Sequence, residues 1–166
     1  MLKALGALAV FCGLSWCGFQ RAGWYRRRLD CLEAWHRGVL EGERMLCQLG
    51  ETTPAFLERL ALEPPLQEMA RNCLDRLGRE ERLEPAWTGA LASSSLPLSQ
   101  EEQRTVAALG AVIGRYDVAQ QRPALEAARS RLEEHLVRAE EEKTRLGRMW
   151  SVLGLSAGVL AVVMLY

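Results

Sequence analysis

Two uncharged stretches constrain this chain more than any other feature. Ala4 to Phe19 carries no charge, and Met149 to Tyr166 adds eighteen uncharged residues. About 20 apolar residues rising 1.5 Å each span a hydrocarbon core of roughly 30 Å. The second run reaches that span if its helix stands nearly upright or the bilayer thins slightly. A helix of this length with no polar face is hard to bury in a small soluble core. Mean hydropathy is an ordinary -0.08, because two apolar ends are averaged with a charged middle.

The first run follows Lys3, as a secretory leader would. No A-x-A pattern stands at its polar edge, and Leu14-Ser15-Trp16-Cys17 puts a bulky Trp before the Cys of any lipoprotein box. The run therefore reads as an uncleaved anchor. In the second run, Gly154 and Gly158 (with Ala157 and Ala161 beside them) supply small-residue spacing that lets helices approach closely in lipid. The two anchors can pair with each other, and the spacing leaves room for a homo-oligomer. Arg21, Arg26, Arg27 and Arg28 follow the first run, and Lys143, Arg145 and Arg148 precede the second. The positive-inside rule then expects the middle of the chain in the cytoplasm and both ends across the membrane. The predicted organisation is an anchor at 1–20, a helical domain at 21–148 and a second anchor at 149–166.

All 21 acidic side chains and all but one of the 21 basic ones lie between the anchors, Lys3 being the exception. With no dominant basic face, nucleic acid is a poor partner. Apolar positions in this region recur at three and four residues, the helical period. Leu32, Trp35, Val39, Leu46 and Leu49 form one stripe, which Gly50 closes. Thr53-Pro54 reads as an N-cap and first-turn proline of a short helix to about Leu62, and Pro64-Pro65 interrupts. A helix from Leu66 to Leu77 presents Leu66, Met69, Ala70, Cys73, Leu74 and Leu77 before Gly78. A short piece over 85–92 carries Trp87 and Leu91. Ser99-x-x-Glu102 is a capping box opening a helix through Val106, Leu109 and Ile113. The last helix carries Leu125, Ala128, Leu132, Leu136 and Ala139, with Pro123 either in its true first turn or kinking an earlier start. Strand patterning is absent from the sequence. The prediction is an all-α antiparallel bundle flanked by N- and C-terminal transmembrane helices.

No active-site pattern stands in the sequence. There is no P-loop pattern and no G-x-S-x-G elbow. His36 and His135 fall on different helices without an evident carboxylate partner. Cys31, His36 and Cys47 match no zinc spacing, and Cys31, Cys47 and Cys73 read as thiols in a reducing compartment. Glu140-Glu141-Glu142 reads as a solvated helix face. No catalytic residue, cofactor, metal or small-molecule substrate is expected. One stretch stands apart: Gly110, Gly114, Asp117 and Gln121. Gly110 suits a close helix approach, Gly114 a left-handed C-cap and Asp117 a cap on the next helix. The corner is structural first, and it also offers a surface for a partner.

In order along the chain, several of these features resemble one family. Met1-Leu2-Lys3-x-Leu5-Gly6-Ala7, Gly18-Phe19, the basic segment, Glu41-x-Glu43, Thr53-Pro54, the Gly110–Gln121 corner and a long charged helix entering an apolar C-terminus look like stage III sporulation protein AB. The likeness covers the whole chain. It implies a membrane protein of the mother cell, at the outer forespore membrane, among the other membrane proteins of a channel between the two cells. It also implies a domain similar to the cytoplasmic domain of the type II secretion F platform, docking a secretion-type ATPase of the same operon. It carries no catalytic residue over.

Overall fold

Helices form where those periodic stripes run, and among the described residues breaks fall at Gly50, Pro64-Pro65 and Gly78, as predicted. The computed structural model describes residues 2–79, 82–113 and 118–147, together with 149, 152 and 156. Six α-helices follow in order: α1 (Leu2–Gly42), α2 (Thr53–Leu60), α3 (Gln67–Leu77), α4 (Leu83–Ser93), α5 (Gln100–Ile113) and α6 (Val118–Glu142). A wider, π-helical turn extends α1 over Glu43–Gln48, and another extends α6 over Lys143–Gly147. No strand occurs among the described residues, so the all-α prediction holds.

Local chemistry sets the boundaries. Gly50 sits at φ +68, a left-handed conformation that glycine adopts without strain, and ends the first long helical segment. The cap of α2 is Thr52, one residue earlier than the sequence suggested: its hydroxyl accepts from the Ala55 N–H at 3.5 Å, leaving Pro54 in the first turn. The capping box forms as expected. Ser99 N–H donates to Glu102 Oε2 at 2.6 Å, and Glu102 N–H donates back to Ser99 Oγ at 3.4 Å. Pro123 lies inside α6, which begins at Val118, so the earlier start is the one observed.

The chain divides into two compact units, and α1 and α6 contribute to both. In the unit of residues 30–137, α3 packs against α2 and α4, and α4 against α5. Its core joins Leu32, Trp35 and Val39 of α1 to Leu57, Met69, Trp87, Leu109 and Leu132. The Trp35 and Trp87 rings lie 5.6 Å apart. Leu49 corrects the predicted stripe: Leu46 stays buried within the wider turn after Gly42, but Leu49 at its end is rotated off the core face and is 62% exposed. His36 beside Glu133, and Glu43 beside Arg129, show that α1 and α6 run antiparallel here.

In the second unit, residues 1–29 and 138–166, Leu29 and Ala139 are buried and Arg28 pairs with Glu142. No helix among the described residues is long and apolar enough to cross a membrane. Apart from Met149, Val152 and Ser156, the predicted 149–166 anchor lies outside the described residues, and so do Gly154 and Gly158. Most side chains of the predicted 1–20 anchor do too.

Candidate functional site

The corner between α5 and α6 is built from two of its four predicted residues. Gly110 is buried against α4: a Cβ there would stand 2.5 Å from Trp87 Cδ1. Trp87 Nε1–H donates to the Val106 carbonyl at 3.0 Å, which fixes the indole across the α4–α5 contact. Gln121 is buried in α6 and its amide donates to the Ile113 carbonyl at 3.1 Å. That bond satisfies a carbonyl at the C-terminus of α5 and ties the two helices together. Gly114 and Asp117 lie outside the described residues. Gly110 and Gln121 thus hold the corner from inside, leaving any partner contact to other groups.

The histidines have partners that spacing did not reveal. His36 Nε2 stands 3.4 Å from Glu133 Oε1, within ion-pair reach though without hydrogen-bond geometry. His135 is buried, with Nε2 3.2 Å from Thr105 Oγ1. Thr105 Oγ1 also donates to the Glu101 carbonyl of its own helix at 3.2 Å. Both histidines join helices. Cys31 and Cys73 are buried and Cys47 is half-buried. Burial, and then the Glu102 carboxylate, push the Cys31 thiol from its ordinary 9.0 to about 12. Cys47 is also raised, first by burial, then by Glu43, with Arg122 pulling the other way. A thiol held protonated is a poor nucleophile or metal ligand. No cluster that could hold a metal ion occurs among the described residues.

Two features escaped the sequence reading. Gly38 and Gly42 let α2 lie close on α1, because added Cβ atoms would stand 2.6 Å from Leu60 and 2.9 Å from Phe56. Their four-residue spacing was a legible signal. The surface cleft beside them has Phe56 and Leu60 among its lining and carries Arg37–Glu63 at 2.9 Å and Arg59–Glu41 at 3.8 Å. Glu43 is the second feature. Its largely buried carboxylate stands 4.0 Å from Arg122 and 3.8 Å from Arg129. Those arginines are seven residues apart, two turns of one helix face, which a search for paired charges could have found.

The basic flanks behave unequally. Arg26 and Arg27 are exposed, whereas Arg28 is buried, paired with Glu142 and set over the Trp24 ring at 5.6 Å. Glu142, its side chain 43% exposed, is thus an ion-pair partner on the solvated helix face of Glu140–Glu142. Lys143 is half-buried and Arg145 exposed; the Arg21 side chain and Arg148 lie outside the described residues.

The model of the family described as stage III sporulation protein AB matches residues 3–166. The chain belongs to that family. It is also 25% identical over 170 residues to stage III sporulation protein AB of Bacillus subtilis (strain 168), covering 99% of each chain. No solved structure matches it. The family assignment agrees with the resemblance drawn from the ordered motifs, and it makes this a stage III sporulation protein.

Proposed function

We propose that this sporulation protein is a membrane-anchored platform. Its two apolar runs are hairpin anchors in the outer forespore membrane, on the mother-cell side. The helical domain between them lies in the cytoplasm, is related to the type II secretion F platform domain, and docks a secretion-type ATPase of the sporulation channel. The observation that carries this reading is the arrangement of charge. Each uncharged run is flanked on its inner side by Arg or Lys, and every acidic residue lies between the runs. The internal wiring of the helical domain supports it further. Its histidines, the Glu43 carboxylate and Gln121 all bridge helices, as suits a body that is held and pushed upon.

The docking face is assigned to the α5–α6 corner, with Asp117 as its test residue. Full-length protein in detergent or nanodiscs should retain the ATPase encoded beside its gene, with and without nucleotide. Asp117→Ala should weaken that retention beyond the roughly 1 kcal/mol of stability a lost cap costs, measured separately by melting. A folded wild type that retains no ATPase makes the protein a passive scaffold. An Asp117→Ala variant that folds, binds and supports sporulation normally removes the corner as the docking face.

A further inference from the structure

The run Arg26–Arg28 is divided by burial. Arg28 is 7% exposed, with its guanidinium paired with Glu142 and set over Trp24. It is a structural cation. That ion pair also sets the register of the two antiparallel segments in its unit. With residue 28 opposite residue 142, Arg27 comes level with Lys143, and Arg26 with Thr144 and Arg145.

The same level is a sharp electrostatic boundary. Asp30 is the first acidic residue of the chain and Glu142 the last. Glu142 is neutralised by Arg28, and the exposed carboxylates of Asp30, Glu140 and Glu141 come before it towards the charged middle. Towards the apolar runs the described cations are Arg26, Arg27, Lys143 and Arg145, with no carboxylate of the chain among them. Trp24 and Tyr25 sit in the same turn, half-buried, their rings 5.2 Å apart and nearly perpendicular. Amphipathic rings of this kind favour the headgroup level of a bilayer. A cation collar beside an aromatic pair, at the edge of an apolar run, is built for phosphate oxygens at a lipid surface.

We infer that Arg26, Arg27, Lys143 and Arg145 form a binding collar for anionic phospholipid headgroups, in the leaflet facing the helical domain. This rests on the hairpin reading above. Each cation near an anionic surface strengthens association about fivefold. The collar therefore prefers anionic over zwitterionic lipid several-fold at physiological salt, and the preference shrinks as salt screens it.

Brominated-lipid quenching tests this on the full-length chain. The protein is reconstituted in bilayers containing brominated phosphatidylglycerol or brominated phosphatidylcholine. Trp24 emission is isolated as the difference from a Trp24→Phe variant. Wild type should show at least about fivefold preferred quenching by phosphatidylglycerol. Arg26→Gln with Arg27→Gln should cut the preference several-fold, leaving only what Lys143 and Arg145 supply, while Arg26→Lys with Arg27→Lys should keep it. These side chains are exposed, so unchanged far-UV circular dichroism is expected of both pairs. Equal quenching by both lipids in wild type overturns the collar and leaves the hairpin standing. No quenching by either lipid overturns the hairpin, and the collar with it. A preference undiminished by the double Gln substitution assigns it to other residues and overturns this site.

Discussion

Two glycine-to-alanine substitutions, alike on paper, should move stability in opposite directions. In a helix interior the added methyl is ordinarily worth about 1 kcal/mol, because glycine loses more backbone freedom on folding. Gly110 lies inside α5, and its new Cβ would stand 2.5 Å from Trp87 Cδ1, 2.6 Å from Cγ and 2.9 Å from Trp87 Cβ. The indole has no room to retreat. It is fully buried, bonded to the Val106 carbonyl and packed against Trp35. Since Trp87 Cβ moves with its backbone, α4 and α5 must separate. Such overpacking costs about 1–3 kcal/mol, and a contact this short that must move backbone falls in the upper part of that range, so a net loss of about 1–2 kcal/mol remains after the propensity gain. Gly89 in α4 meets an equally short contact, 2.6 Å, but with the guanidinium nitrogen at the tip of half-exposed Arg76. That tip is the far end of a flexible side chain and can shift together with the contact it makes, so Gly89→Ala should gain up to about 1 kcal/mol.

Each kcal/mol corresponds to about 2–4 °C in a chain of this size. Gly110→Ala should lower Tm by about 3–6 °C, and Gly89→Ala should raise it by up to about 3 °C, in far-UV melts of the full-length protein under one detergent condition. If Gly110→Ala melted at or above wild type, the close approach of α5 to Trp87 would be refuted. Equal downward shifts would refute the distinction between a pinned ring and a flexible side-chain end.

Trp87→Phe should cost more than Trp35→Phe in urea unfolding, by about 1 kcal/mol. The first loses the bond to Val106, while the second removes a buried indole N–H that has no acceptor among the described residues. Glu43→Gln should cost about 1 kcal/mol at low salt and less at 1 M salt, since Arg122 and Arg129 are partly exposed and screened; a salt-independent cost would refute the ion-pair account. Folding holds the Cys31 proton on, so its contribution is complete below pH 9.0 and is lost as pH rises towards about 12; a variant Cys31→Ala should show a shallower loss of stability over that window. At pH 8, alkylation of the native protein should reach Cys47 well before Cys31 or Cys73, and mass spectrometry of the labelled peptides would read the order.

Helices were legible wherever apolar spacing and a local stop signal coincided. Gly50, Pro64-Pro65, Gly78 and the Ser99–Glu102 box punctuate the chain because each acts on its own backbone within a few residues. Leu49 was misplaced because a π-helical turn changes the angular step, which a fixed 3.6-residue period does not anticipate. The corner was half legible. Gly110 announced a close approach, but only the fold could supply Trp87 as the atom approached, or Ile113 as the acceptor for Gln121. Arg28–Glu142 and His36–Glu133 join residues about a hundred positions apart, and neither has a local signature. Their formation depends on the antiparallel return of α6, which charge composition does not encode.

The hairpin itself is tested most directly by its topology. Reporters active on only one side of the membrane would be fused at the N-terminus, at the C-terminus and within the exposed turn near Leu62, in sporulating cells. The hairpin predicts that both terminal fusions report the side away from the cytoplasm and the internal fusion reports the cytoplasm. A C-terminal fusion active in the cytoplasm would contradict it, and with it the platform held between two anchors.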